Sequence, residues 1–236
     1  MTHKKIVIVL PLYNPRGNWE ASLCKAIENL EQLFSAIDFE IVIVNDGSTI
    51  QIKETVDQIH IKYNNVRFLE YPENKGKGYA VKYGVENSEA DYYIYSDYDF
   101  PFGYKAIFET YNILVQDNCD LVFGKRNQSY FSKLPIKRRI ISKSLRTLNY
   151  AMLGFKAIDT QAGLKGLNAR IKESLIYTKA NGFIFEFEFI RKCLKSNCKI
   201  QPVNISIAED ITFSDFRFNI IFRELKQYVR LFFAHA

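Results

Sequence analysis

The chain has 236 residues, of which 47% are apolar and 25% are charged, and this is the composition of an ordinary globular protein. A chain of this length can bury one good core, so we expect a single domain over residues 1–236. No apolar run approaches the roughly 18 residues that a membrane span needs. We therefore expect a cytoplasmic protein whose contact with a membrane, if any, is peripheral and on its inner face.

The cysteines and histidines exclude several kinds of site. The four cysteines (Cys24, Cys119, Cys193 and Cys198) are scattered without a Cys-x-x-Cys pair, which argues against a disulfide framework and a zinc site. The three histidines are far apart along the chain, so a histidine-based catalytic triad is not expected.

Strand-like and helix-like segments alternate along the first hundred residues. Continuous apolar runs predict strands over residues 5–10, 39–44, 66–70 and 92–96, and helical periodicity predicts helices over 19–34, 50–63 and 77–87. Apolar strands separated by helices are typical of a parallel sheet covered on both faces. Because ligands of such sheets bind at the carboxyl ends of the strands, the loops there are the first place to look for a site.

Those loops carry unusual residues. The loop over 74–80, with the sequence NKGKGYA, combines two glycines, two lysines and a helix start, which favours phosphate binding without being a Walker loop. Asp46, in the loop after the second strand, is placed to accept hydrogen bonds from a base or a ribose. Alternatively, Asp46, Gly47 and Ser48 form a tight turn that leads into a helix cap, and both interpretations can hold together.

Two carboxylates follow the fourth strand. Asp97 and Asp99 are one residue apart, so in extended chain their side chains point to the same side. Like charges held this close repel each other unless a cation lies between them, and Mg²⁺ often shares such a site with substrate phosphates. The pattern therefore predicts a metal site at Asp97 and Asp99, although a surface turn would show the same two residues.

Four motifs occur in register in this half of the chain: PLYN at 11–14, VNDGS at 44–48, NKGKGYA at 74–80 and SDYD at 96–99. Together they resemble the nucleotide-sugar-binding half of family 2 inverting glycosyltransferases, which have the α/β GT-A fold, a Rossmann-like and mostly parallel sheet with helices on both faces. The resemblance implies that residues near the first two loops (Pro11, Tyr13, Asn14 and Asp46) and the Gly76-Lys77 turn contact the nucleotide. It also implies that Asp97 and Asp99 hold Mg²⁺ or Mn²⁺ on the diphosphate. The family usually has an acidic residue after the Asn, where this chain has Pro15.

The second half is marked by positive charge. Helical spacing predicts a helix over 102–118, and an apolar run predicts a strand over 120–123. From residue 121 to 158 there is no Asp or Glu, whereas nine Lys and Arg occur there, which exceeds the net charge of +6 for the whole chain. A basic helix is predicted over 136–153. We expect an anion-binding face in this segment.

This layout is similar to the polyprenyl-phosphate branch of the family, the dolichyl-phosphate mannose and glucose synthases and their bacterial relatives. The similarity rests on Gly124-Lys125-Arg126, the basic helix, DTQAGLK at 159–165 and FEFE at 185–188. It implies that Asp159 and Gln161 lie beside the nucleotide sugar, with Asp159 and Asp99 as the catalytic carboxylates. A basic cradle for a lipid phosphate can be supplied by four residues: Arg126, Lys137, Arg138 and Arg139.

The sequence therefore predicts a metal-dependent inverting glycosyltransferase that moves a hexose from a UDP- or GDP-sugar to a polyprenyl (dolichyl or undecaprenyl) phosphate. Residues 1–100 would bind the nucleotide sugar, 101–214 the acceptor, and 215–236 would form an amphipathic helix that lies on a membrane or packs on the domain. If the acceptor is a saccharide hydroxyl instead, Asp159 is the first candidate for the base.

Three other functions are weaker interpretations. A nucleotidyltransferase would normally show a glycine-rich signature after the first strand, where this chain has PLYN. A non-catalytic nucleotide-sugar-binding module would not need all of Asp97, Asp99 and Asp159. No nucleic-acid-binding motif accompanies the basic segment.

Glu186 and Glu188 lie on a predicted helix rich in Phe, and they are expected either to pair with a Lys or Arg or to act in catalysis.

Overall fold

The computed structural model describes residues 4–126, 162–182 and 184–206, together with Arg139, Ser142, Thr147 and Asp159. The first half alternates strands and helices: β1 (Ile6–Leu12), α1 (Trp19–Leu33), β2 (Phe39–Asp46), α2 (Lys53–Lys62), β3 (Val66–Tyr71), α3 (Lys77–Glu86), β4 (Tyr92–Tyr95) and α4 (Tyr104–Gln116). The second half contributes β5 (Leu121–Arg126), β6 (Lys165–Asn168), a 3₁₀ turn (Ala169–Ile171), α5 (Lys172–Ile176), α6 (Phe185–Lys195) and β7 (Ile200–Ile205).

The seven strands form one sheet in the order β3-β2-β1-β4-β6-β5-β7. β1 pairs in parallel with β2 and β4, β2 with β3, and β5 with β7, whereas β6 runs antiparallel to both of its neighbours. The strand order reverses direction at β1, since β2 lies on one side of it and β4 on the other. A crevice for a ligand is expected at such a reversal, outside the carboxyl ends of the strands.

The alternation of side chains along β1 explains the two apolar layers. Ile6, Ile8 and Leu10 point to one face, where they pack with the buried stripe of α1 and with α4. Val7 and Val9 point to the other face, where they pack with α3, α5 and α6. Both faces are buried, which is why the strands are continuous apolar runs rather than alternating ones.

The predicted α/β fold with a mostly parallel sheet is confirmed, and each element predicted in the first half is present with small shifts at its ends. β6 and β7 were not predicted from the sequence. The predicted helix over 136–153 lies outside the described residues except for Arg139, Ser142 and Thr147, which are helical. The predicted tail helix over 216–233 lies entirely outside them. Within the described part of the chain, no helix is both long and apolar enough to cross a bilayer.

Candidate active site

The antiparallel strand β6 brings the two halves of the sequence together. Lys165, the first residue of β6, lies opposite Tyr95 at the end of β4 and opposite Phe123 in β5. The segment that precedes β6 therefore reaches the same edge of the sheet as the carboxyl ends of β1, β2, β4 and β5. This edge brings Asp97 and Asp99, from the first half of the chain, to the same side of the sheet as Arg126 and Asp159 from the second half.

Asp97 and Asp99 lie just beyond β4. The amide of Ser96, the residue before them, donates to the Val9 carbonyl (3.3 Å), which fixes the chain to β1 as it leaves the sheet. Asp97 Oδ1 is 2.6 Å from Nζ of Lys77, the first residue of α3. Burial raises the pKa of Asp99 to about 6, and repulsion from the Asp97 carboxylate is the second cause of this shift. Two like charges are thus held together, as the Asp-x-Asp pattern predicts.

The two carboxylates suit a hard divalent cation by the chemistry of their oxygen donors. Among the residues described in the structure, no cluster of three or more His, Cys, Asp or Glu side chains could hold a metal ion. Within the described ranges, the protein ligands of such a site would therefore be these two carboxylates. A cation bound to them could take further ligands from water and from substrate phosphates, which is common for Mg²⁺.

Asp46 at the end of β2 is the centre of a set of internal hydrogen bonds. Its Oδ1 accepts from the Tyr71 hydroxyl (2.8 Å) and the Lys75 amide (2.7 Å), while its Oδ2 accepts from Asn74 Nδ2 (2.9 Å) and the Gly76 amide (3.0 Å). Burial raises the pKa of the Asp46 carboxyl, and the hydrogen bonds from Lys75, Tyr71 and Gly76 oppose the shift. Asp46 thus holds the loop before α3 in place, a role that was not predicted from the sequence. The predicted helix cap after Asp46-Gly47-Ser48 is wrong, because α2 follows Ile52 and has no side-chain cap.

The loops after β1 and β2 hold each other in a similar way. Asn14, at a positive φ of 43°, accepts with Oδ1 from the Thr49 amide (2.8 Å), and its own amide donates to Ser48 Oγ (2.9 Å). Pro11 lies in β1, and the Tyr13 side chain stays 46% exposed beside these loops. We name the interlocked residues around Asp46 and Asn14 the hydrogen-bonded loop cluster; its members are Asn14, Ser48, Thr49, Asp46, Tyr71, Asn74, Lys75 and Gly76.

The N-terminus of α3 contacts protein where the sequence suggested a phosphate. The Asn181 carbonyl accepts from the amides of Gly78 (2.8 Å) and Tyr79 (3.3 Å). A Cβ at Gly76, whose φ is +95°, would lie 2.7 Å from that carbonyl oxygen, and a Cβ at Gly78 would lie 2.8 Å from the Phe185 ring. The two glycines thus permit the close approach of the segment before α6. The buried Lys82 ammonium holds that segment by donating to the Thr178 carbonyl (2.8 Å) and Asn181 Oδ1 (2.8 Å).

Arg126 and Asp159 form a buried ion pair beside this edge. Arg126 is the last residue of β5, and its Nε and Nη2 donate to the two oxygens of Asp159 at 2.6 and 2.7 Å. Both residues are less than a tenth exposed. The structure thus joins the predicted acceptor-binding arginine to the predicted catalytic carboxylate in one bidentate pair, the strongest form of charge-assisted hydrogen bond.

A second buried pair lies between Asp159 and Lys77. Lys165 Nζ donates to the Ala162 carbonyl and, at 2.8 Å, to Glu186 Oε2. Burial lowers the pKa of the Lys165 ammonium. The negative charges of Glu186 and, to a smaller extent, Asp159 oppose this shift. Glu186 therefore pairs with a lysine, one of the two expectations for it, and Glu188 accepts from the amides of Lys179 and Ala180.

These ionic residues follow one another with alternating sign across the edge of the sheet. We name them the buried charge cluster, and its members are Asp97, Lys77, Glu186, Lys165, Asp159 and Arg126. Asp97 forms its outer end, where the side chain is 39% exposed. The order matters because each charge has an opposite charge as its neighbour, which offsets part of the cost of removing it from water.

The remaining predicted residues are only partly described. Gln161, Lys137 and Arg138 lie outside the described residues, and Arg139 is helical and half-buried. Sequence reasoning missed Gly163, Lys165, Lys82 and Asn181 as parts of this region. Gly163 and Lys165 lie within the DTQAGLK motif, which was the only available signal, whereas Lys82 and Asn181 belong to no motif.

Comparison with known proteins agrees with this fold. The model described as glycosyl transferase family 2 matches residues 7–175. The chain therefore belongs to glycosyl transferase family 2. It is 28% identical over 223 residues to the dolichyl-phosphate beta-glucosyltransferase of Saccharomyces cerevisiae, covering 86% of this chain and 66% of the yeast protein. It is 31% identical over 170 residues to a dolichyl-phosphate beta-glucosyltransferase of Trichomonas vaginalis, covering 67% of this chain and 51% of that protein.

The chain thus spans somewhat less than two thirds of the length of these relatives. Among solved structures, glucosyl-3-phosphoglycerate synthase from Mycobacterium tuberculosis in complex with Mn²⁺ and UDP-glucose superimposes with a TM-score of 0.66 at 17% identity, covering 96% of this chain and 77% of that chain. S. aureus TarS 1-349 does so with a TM-score of 0.56 at 18% identity, covering 84% and 58%. The similarity confirms the GT-A type of fold.

Proposed function

We propose that the protein is a metal-dependent inverting glycosyltransferase that moves a hexose from a UDP- or GDP-sugar to a polyprenyl phosphate. The observation that carries the proposal is that the predicted metal-binding carboxylates and a buried ion pair lie at the same edge of the sheet. Asp97 and Asp99 lie beyond β4, and the Arg126–Asp159 pair lies at the end of β5, with only β6 between those strands. Residues 1–100 would form the donor half of the molecule and residues 101–214 the acceptor half.

On the donor side, Asp97 and Asp99 would hold Mg²⁺ or Mn²⁺, as the donor chemistry of the two carboxylates allows. The cation would supply positive charge that neutralises the leaving diphosphate, which is usually a large part of catalysis in such reactions. The crystallised relative with Mn²⁺ and UDP-glucose supports this assignment. Pro11, Tyr13, Asn14 and Gln161 would line the nucleotide sugar.

In this proposal Asp46 and Gly76 act on the donor indirectly. Asp46 already accepts hydrogen bonds on both carboxylate oxygens from within the chain. It would fix the backbone of the loop before α3 through the amides of Lys75 and Gly76, so that this loop is in place before the donor arrives. Such preorganisation avoids reorganisation during the reaction.

On the acceptor side, the ion pair favours an acceptor that is already an anion. Both Asp159 oxygens accept hydrogen bonds from Arg126, so this carboxylate is already engaged in holding the guanidinium rather than directed at an acceptor hydroxyl. A phosphate acceptor needs no base, whereas a saccharide hydroxyl does. Arg126, held at a fixed angle by Asp159, would orient the phosphate, and the basic residues over 127–158 would extend the cradle. The names of the yeast and Trichomonas relatives point to the same acceptor.

A transfer assay with purified protein tests the proposal. UDP- and GDP-sugars are offered with Mg²⁺ or Mn²⁺, with and without a short polyprenyl phosphate, and Asp99→Ala is the matched inactive variant. The expected result is a lipid-linked sugar phosphate that disappears with chelator and in the variant. Metal-dependent hydrolysis of the donor without a lipid product would instead favour a saccharide acceptor. Activity indifferent to chelator and to Asp99→Ala would contradict the metal site.

A further inference from the structure

Lys77 occupies the position where a cation beside Asp97 would be expected. Its Nζ lies 2.6 Å from Asp97 Oδ1, and its side chain is only 12% exposed. Gly163 borders both groups: a Cβ at this position would collide with Asp97 Oδ2 and lie 3.2 Å from Lys77 Nζ. The absence of a side chain at Gly163 therefore leaves the space in which the ammonium and the carboxylate meet.

Glu186 offers Lys77 a second carboxylate. Its Oε2 accepts from Lys165, whereas its Oε1 is buried and has no hydrogen-bond partner among the described residues. Burial alone would lower the pKa of the Lys77 ammonium. Attraction to Asp97 and, more weakly, to Glu186 outweighs burial, so the pKa of Lys77 is raised. A buried carboxylate oxygen without a hydrogen-bond donor costs free energy. Moving the Lys77 ammonium to Glu186 Oε1 would recover part of that cost.

We infer that Lys77 is a displaceable counter-ion, which neutralises Asp97 while the donor and its divalent cation are absent and turns to Glu186 Oε1 when the cation binds Asp97. The inference rests on the proposed function, because it takes Asp97 as a metal ligand. It deepens that function by assigning roles to Lys77 and to the unpaired oxygen of Glu186. Both are positioning residues in this scheme, since neither is required to touch the reacting atoms.

The scheme has a measurable consequence for metal binding. In the donor-free protein the cation has to displace Lys77, so its affinity is reduced by the free energy of the Lys77–Asp97 ion pair. When the nucleotide brings diphosphate oxygens as further ligands, the competition is overcome. Metal and nucleotide are therefore expected to bind cooperatively, and the protein would hold little metal before the nucleotide sugar arrives.

The test measures Mn²⁺ binding to the purified protein by isothermal titration calorimetry, without nucleotide and with UDP or GDP. Lys77→Met removes the competing charge, and we expect it to tighten Mn²⁺ binding without nucleotide by roughly two- to fivefold, the range for a partly exposed ion pair. Lys77→Arg keeps the charge and should stay near the wild type. Lys75→Met is the matched control. It removes the same charge two positions before Lys77, from a lysine whose ammonium lies over the Tyr79 ring.

Glu186→Gln tests the second position. This variant removes the charge to which Lys77 turns, so Mn²⁺ binding should weaken about threefold, and combining it with Lys77→Met should abolish that weakening. Thermal unfolding identifies any loss of fold, and Lys77→Met keeps the inference testable if Glu186→Gln does not fold. Equal Mn²⁺ affinity in Lys77→Met, Lys75→Met and the wild type would overturn the inference but leave the proposed metal site intact. No Mn²⁺ binding in any of them, even with both nucleotides, would overturn both.

Discussion

The hydrogen-bonded loop cluster and the buried charge cluster lie side by side at one edge of the sheet, but they are built differently. In the loop cluster, Asp46 and Asn14 accept hydrogen bonds mostly from backbone amides and neutral side chains of adjacent loops. In the charge cluster, side chains far apart in sequence neutralise one another. Its Glu186 Oε1 and the nearby Tyr95 hydroxyl are buried without a hydrogen-bond partner among the described residues.

The difference concerns how easily each cluster can rearrange. A donor or acceptor in the loop cluster would lose its hydrogen bonds by moving, because most of its partners are backbone groups at fixed positions in adjacent loops. In the charge cluster an ammonium can exchange one carboxylate for another at a smaller cost, since the alternatives carry the same charge. We therefore expect the loop cluster to hold the donor side rigid and the charge cluster to respond to bound ions.

The largest effect is expected from separating the two charges of the Arg126–Asp159 pair. Arg126→Met leaves the Asp159 carboxylate buried without its guanidinium, so the free energy of unfolding should fall by about 3–5 kcal/mol. Adding Asp159→Leu removes the stranded charge and should restore most of the stability while transfer stays lost. Urea unfolding of the single and double variants measures this. A single variant as stable as the wild type would mean that water reaches this pair.

Crowding the charge cluster should reduce transfer more than stability. Gly163→Ala places a methyl group against Asp97 and Lys77, and displacing catalytic groups by about 1 Å typically costs roughly 100-fold in rate. Gly124→Ala is the matched control, because its methyl meets the Ile205 side chain at 2.7 Å and no carboxylate. Steady-state transfer kinetics compare the two variants. A similar loss in both would assign the effect to general crowding.

A smaller effect is expected where Lys82 joins α3 to the segment before α6. Lys82→Met leaves the Thr178 and Ala180 carbonyls without this donor, and it should lower the free energy of unfolding by about 1–3 kcal/mol. Amide exchange at Gly78 and Tyr79 should accelerate, because the Asn181 carbonyl that accepts from them is less firmly held. Lys172→Met, which loses a bond to the Ser88 carbonyl, should leave those two amides protected.

The smallest effect should come from removing one hydrogen bond of the loop cluster. Tyr71→Phe deletes one of the donors to Asp46 and should cost about 0.5–1.5 kcal/mol of unfolding free energy, since the backbone donors remain. Tyr79→Phe loses only a 3.4 Å contact with the exposed Lys75 and should be close to neutral. Equal costs for the two variants, measured by urea unfolding, would show that Asp46 does not organise this loop.

The sequence was most informative where structure is local. The alternating elements of the first half and the closeness of Asp97 to Asp99 follow from residues close together in the chain. The partners of Asp46 lie 25 to 30 positions away and were not predicted. The pairing of Arg126 with Asp159 or Lys165 with Glu186 joins residues 33 and 21 positions apart, and only the fold selects such partners. β6 was missed because it is four residues long with the sequence KGLN, which has neither apolar continuity nor alternation.

The same local signals could not identify one partner within the chain. Glycines and lysines at a helix start predict an anion, yet the Gly78 and Tyr79 amides bind the Asn181 carbonyl. A carbonyl oxygen carries the partial negative charge that such a helix end attracts, so the physical reason for the prediction was sound. Nothing near the NKGKGYA motif indicates that a residue a hundred positions later supplies it.

The position of β6 also affects how the sequence between the two halves can change. Arg126 ends β5 at this edge, Asp159 lies just before β6, and their ion pair ties the two ends of the intervening stretch together. Asp97, Asp99 and Lys77 follow or precede other elements of the sheet and lie outside this stretch. We therefore expect substitutions in the sequence over 127–158 to alter the acceptor side while the donor-side carboxylates and Lys77 keep their places. Acceptor preference would then diversify independently of the donor chemistry.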